Sequence, residues 1–69
     1  MIVFTKHAIT RMKERGILKR DIEKVIKNPD YIYRDNHRVI ENKKLNKKTL
    51  EIVFIRENTK TIILTCYYL

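Results

Sequence analysis

The chain has one glycine, Gly16, and one proline, Pro29. These are the strongest local breaks a backbone has, so regular elements are forced to stop at few places. Before Gly16, Ala8, Ile9 and Met12 recur at helical spacing. At a helical step of about 100° per residue, His7, Arg11 and Glu14 fall together on the adjoining arc. Thr5 supplies an N-cap oxygen, so the spacing predicts a helix from Lys6 to Arg15, closed by Gly16 in the left-handed conformation with Ile17 folding back on the last turn. A second helix is expected from Lys19 to Lys27, with Ile22, Val25 and Ile26 at helical spacing and Asn28-Pro29 as its stop. Leu18 has no side-chain acceptor to cap it, although Asp21 in the first turn complements the helix dipole. So short a link makes the pair a helical hairpin whose apolar faces meet a common surface.

That surface must come from the rest of the chain. Tyr31–Arg34 and Arg38–Glu41 flank the turn residues Asp35-Asn36-His37, while Thr49–Arg56 and Thr61–Tyr68, richer in branched and aromatic residues, flank Glu57–Lys60. The charge run Lys43–Lys48 falls in the middle loop, and Ile2–Phe4 reads as a short edge strand or extended arm. The expected fold is α+β, a single domain over residues 1–69 with two N-terminal helices on a four-stranded antiparallel sheet and a short N-terminal strand beside it. With the last hairpin turning on Asn58-Thr59, Ile52 lies opposite Thr65 and Leu50 opposite Tyr67. Leu50, Ile52, Phe54, Ile63, Thr65 and Tyr67 then share one face. The other face, with Glu51, Val53, Ile55, Ile62, Leu64, Cys66 and Tyr68, is also mostly apolar. Two helices cover only one of them, which leaves the second for a subunit interface or the floor of a cleft.

A domain of 69 residues buries only about 60% of the surface its unfolded chain exposes. Cys66 is the sole cysteine, which excludes an intrachain disulfide, and two histidines without further cysteines cannot form the usual four-ligand structural zinc site. Packing or a partner must therefore supply the stability. Sixteen Lys and Arg against eight Asp and Glu give a net charge of +8, and polyanions are the natural partners of such a chain. The longest apolar run, around Ile62-Ile63-Leu64, is broken by Thr65 and is too short for a membrane span. Met1-Ile2-Val3-Phe4 has neither a basic leader nor a cleavage pattern, so the expected location is the cytoplasm.

His7-Ala8, Arg11-Met12 and Arg15-Gly16-Ile17 in the first helix, Asp21-Ile22 in the second, Asn28-Pro29 after it and Thr65-Cys66-Tyr67 in the last strand together resemble a known family. It is a small domain-of-unknown-function family grouped with the RelE/ParE-like toxins, within the superfamily of metal-independent RNases that includes barnase, EndoU and the RelE toxins. The resemblance covers nearly the whole chain, and Leu18 departs from the capping residue usual there. It implies a RelE-like fold and a toxin-type endoribonuclease of a toxin-antitoxin system. The implied partners are RNA, in a ribosome-associated form or free, and a cognate antitoxin, with no metal and no cofactor. Such enzymes use the RNA's own 2′-hydroxyl as nucleophile, which calls for a base, an acid and cations around the phosphate.

For that chemistry the site residues are His7, Arg11 and Tyr67, with Arg34, Arg38, Arg56 and Thr65 binding substrate. Each has a plainer alternative. His7 carries an imidazole, the side chain most often used for acid–base work, or is a surface histidine at a helix start. Arg11 holds a phosphate with two parallel donors, or pairs with Glu14. Tyr67 stacks on a base or donates its hydroxyl, or is a buried strand tyrosine. Thr65 borders the same cleft. Arg34, Arg38 and Arg56 form a phosphate rim, or protect sheet edges with charge. Arg15 is expected to be structural, His37 a turn residue, and Cys66 buried and inert. Two further functions fit the same fold and charge: a non-catalytic RNA- or DNA-binding module, and a homodimeric protein-interaction domain.

Overall fold

The computed structural model describes residues 1–69, and both helices occupy the expected residues, α1 over Lys6–Arg15 and α2 over Lys19–Lys27. The Thr5 hydroxyl caps α1 by accepting the Ala8 N–H at 3.0 Å. Gly16 closes it at φ 65°, and a Cβ there would meet nothing within 4 Å. Backbone conformation, not space, requires the glycine. Leu18 indeed offers α2 no side-chain cap, but the Asp21 carboxylate accepts the Leu18 N–H at 2.9 Å, the reciprocal half of a capping box.

Five strands follow the order β1-β5-β4-β3-β2 across one sheet: β1 Ile2–Phe4, β2 Tyr31–Asp35, β3 Arg38–Leu45, β4 Lys48–Glu57 and β5 Lys60–Tyr68. Strands β2 to β5 form the expected antiparallel meander. β1 joins it parallel to β5, with Val3 opposite Ile62, so the sheet is mixed. The reason lies at Thr5, whose N–H bonds the Ile63 carbonyl at 3.2 Å and whose hydroxyl donates to the Leu64 carbonyl at 3.3 Å. The chain is thereby held along the outer edge of β5 as it enters α1.

Each hairpin closes on two residues, the first an asparagine at positive φ: Asn36 at 57°, Asn46 at 60° and Asn58 at 56°. Asparagine tolerates this conformation better than other residues with a Cβ, so it does here what glycine does in most tight hairpins. The Lys43–Lys48 run is not the expected loop. It comprises the end of β3, the turn at Asn46-Lys47 and the start of β4. Alternation lets it pair as strand, because Lys43 turns inward far enough to approach Asp30 at 3.4 Å and Leu45 packs against the core.

The β4–β5 register departs from the expected one halfway along. Near the turn the pairing is as expected, with Phe54 opposite Ile63, but Val53 then faces Thr65 and Leu64 is left as an extra residue in β5. Leu50 consequently faces Tyr68 and Ile52 faces Cys66, not Tyr67 and Thr65. One inserted residue turns every later side chain of β5 to the other face.

The core lies between the helices and one sheet face. Leu50, Ile52, Phe54, Ile63 and Cys66 pack with Val39 against Ala8, Met12, Ile17, Ile22 and Val25. Helix α1 covers β5 and β1, and α2 covers β3 and β4. No helix is long and apolar enough to cross a membrane.

Candidate functional site

The sheet face turned away from the helices carries the most developed side-chain chemistry in the molecule. Cross-strand pairing aligns Tyr31, Asn42, Glu51 and Tyr67 in one row over β2, β3, β4 and β5. Within it the Tyr67 hydroxyl donates to Glu51 Oε2 at 2.6 Å, and Asn42 Nδ2 donates to Glu51 Oε1 at 3.0 Å. Both carboxylate oxygens are thus held, which fixes the rotamer. The bond to Glu51, followed by burial and the repulsion of the same carboxylate, pushes the Tyr67 phenol up to about 12. It therefore remains a proton donor throughout the physiological range. The next row, Tyr33, Ile40, Val53 and Thr65, forms an apolar floor in which Val53 is buried without belonging to the main core.

A family model described as a domain of unknown function, DUF4258, matches residues 4–68. The chain belongs to the DUF4258 family. No curated protein and no solved structure matches it.

The residues picked out in the sequence divide between the two layers of this DUF4258 domain. Tyr67 and Thr65 share one face, as expected, but the bulge at Leu64 sets them opposite Glu51 and Val53 on the open side, not beside Leu50, Ile52 and Phe54 in the core. Arg38 alternates onto the same face, paired with Asp35. His7 and Arg11 belong to α1, in the other layer, and no hydrogen bond joins either to Tyr67. His7 is exposed, and Arg11 Nη1 lies 2.6 Å from Glu14 Oε1 as an ion pair within the helix. Arg15 serves structure: its guanidinium donates to the Cys66 carbonyl at 3.4 Å, on the stretch of β5 edge that β1 is too short to pair.

Arg34 and Arg56 alternate to the helix side, opposite the open face, and there they attend Glu41. That carboxyl is 4% exposed and its Oε1 has no hydrogen-bond partner. Burial raises its pKa, and the attraction of Arg56 and then Arg34 works against the rise. The Cys66 thiol is buried, and desolvation pushes it up against the pull of Arg15, which leaves little thiolate to react.

Sequence reading passed over Asn42, Glu51 and Glu41. A signal was available for Glu51, the one charged residue within the otherwise apolar stretch Leu50–Ile55. Its partners were not available, because Tyr67 reaches it only through the bulge.

Proposed function

We propose that this protein is a toxin-type endoribonuclease that cuts RNA by metal-independent transesterification on the open sheet face, a reading in line with the RelE-like resemblance. The observation that carries it is the Glu51–Tyr67 pair, an acceptor and a donor 2.6 Å apart on an uncovered surface of a chain with net charge +8. In the reaction, Glu51 takes the proton of the 2′-hydroxyl as the 2′-oxygen bonds to phosphorus. The bond from phosphorus to the 5′-oxygen breaks, and the leaving oxygen is protonated from Tyr67 or from water. The products are a 2′,3′-cyclic phosphate and a 5′-hydroxyl end. Arg38 and Lys44, on the same face of β3, supply cations for the phosphate. His7 and Arg11 form the alternative centre, and the toxin reading carries a cognate antitoxin with it.

Incubating the purified protein with RNA in the presence of a chelator tests this directly. Cleavage is expected, and Tyr67→Phe and Glu51→Gln each lower it by about 10²- to 10⁴-fold, the usual worth of a positioned acid or base, while the circular dichroism spectrum is retained. If instead only His7→Ala and Arg11→Ala abolish cleavage, the chemistry belongs to α1. RNA that is bound but left intact by the wild type overturns the enzyme in favour of a binding module.

A further inference from the structure

We infer that the open face receives an unpaired RNA strand, with Tyr31 and Tyr33 as stacking platforms for its bases; the position of the scissile phosphate in this inference rests on the nuclease reading above. Tyr31 and Tyr33 stand on β2, the outermost strand, with 53% and 50% of their surface exposed. No other tyrosine is so open, and Tyr67 alone has its hydroxyl hydrogen-bonded. Alternation turns both rings away from the helices, Tyr31 in the row of Glu51 and Tyr67 and Tyr33 in the adjoining apolar row. No element of the chain covers them.

Base stacking suits such rings, because every base has a π-face and a sheet holds the side chains at fixed spacing. A duplex offers them nothing, since its bases already stack on one another and expose sugar and phosphate along the grooves. Arg38 and Lys44 flank the rows from opposite ends of β3. Asp35 faces Arg38, whereas Lys44 is opposite the neutral Thr49 and is free to meet a phosphate. Three steps between neighbouring strands separate the β2 rings from Tyr67, roughly 14 Å at the usual spacing. A strand crossing the sheet from β2 to β5 therefore sets stacked bases a few nucleotides from a phosphate at Glu51 and Tyr67. A second copy of the chain on the β2 edge would bury the same rings, but each copy brings a net charge of +8 and like charges oppose the approach.

The test uses 2′-O-methyl oligoribonucleotides, which lack the attacking hydroxyl and so report binding without cleavage. Fluorescence anisotropy is expected to show binding of the single strand and at least tenfold weaker binding of the matching duplex. Tyr31→Ala and Tyr33→Ala each weaken single-strand binding by about 5- to 100-fold, the range of one lost stacking contact, while the Phe variants, which keep the ring, bind as the wild type does. Alanine variants with unchanged affinity, or a duplex that competes equally, overturn the inference. So does a wild type that sediments as a dimer and is converted to monomer by the alanine changes, which gives the rings to a second copy. Cleavage of unmodified RNA is scored separately. Tyrosine-dependent binding without cleavage removes the nuclease reading and leaves this inference standing, and cleavage with tyrosine-independent binding does the reverse.

Discussion

Glu41 and Glu51 occupy adjoining strands and meet opposite fates. Glu51 has each oxygen engaged by a donor, whereas Glu41 is turned to the helix side with one oxygen unpartnered. The folded state therefore favours the neutral form of Glu41, and its pKa lies above the ordinary value of 4.5. The unfolded chain ionises first as pH rises, so stability falls from the ordinary value up to the raised one and stays lower above it. Asp30 has the opposite sign. The Lys44 N–H, 2.9 Å from its carboxylate, lowers its pKa, and its contribution is present above the ordinary value and lost as pH falls through the lowered one. Glu41→Gln keeps the shape and removes the charge. Urea titrations are expected to find the variant equal to wild type near pH 3.5 and more stable near pH 8 by about 1–2 kcal/mol, the scale of one unsatisfied buried group. A difference that stays constant across that pH range rules out burial of the carboxylate as the cause.

Among the elements, the start of α1 is tied to β5 through Thr5, as its end is through Arg15. Thr5 accepts the Ala8 N–H at 3.0 Å and donates to the Leu64 carbonyl at 3.3 Å, so one hydroxyl starts the helix and holds the bulge beneath it. Losing both bonds in Thr5→Ala is expected to cost about 1–2 kcal/mol, more than a cap exposed to water alone, and Thr5→Ser to recover most of it. Thermal unfolding of the two variants separates the hydroxyl from the methyl group: an equal loss in both assigns the effect to packing. The bulge also bears on the site, since with Leu64 paired in regular register the end of β5 would turn Thr65 and Tyr67 into the core and Cys66 and Tyr68 outward. The three asparagine turns belong to this scale as well. They join four strands in a chain whose only glycine is spent on α1.

For the whole molecule, stability rests on a thin core. A 69-residue chain has about 3–10 kcal/mol in hand at ordinary stability per residue, and Phe54, fully buried at the centre of the sheet, is worth about 3–5 kcal/mol on truncation to alanine. Phe54→Ala is accordingly expected to lose its cooperative thermal transition near room temperature, and a sharp transition retained above 50 °C would mean that the core is held by something beyond these contacts. Much of the architecture was legible in the sequence because its causes are local. Helical spacing with Thr5, Gly16 and Asn28-Pro29 at the boundaries defines both helices, and branched residues between turn formers mark β2 to β5. The parallel pairing of β1 was not legible, as it depends on where α1 docks. Nor was the extension of β3 and β4 through a lysine-rich run, where pairing overrides the solubility of the charges. The candidate site was legible only in part: Tyr67 and Thr65 stood out, while their neighbours Glu51 and Asn42 did not, and Arg34 and Arg56 belong to the side of Glu41. By itself the sequence determined the helices, the turns and which residues are apolar enough to form a core, since each follows from neighbours within a few positions. Only the tertiary structure decided which way Tyr67 points, because both faces of β4 and β5 are apolar enough to be buried and a period of two cannot choose between them; one extra residue, held at Leu64 by contacts from Thr5, made the choice.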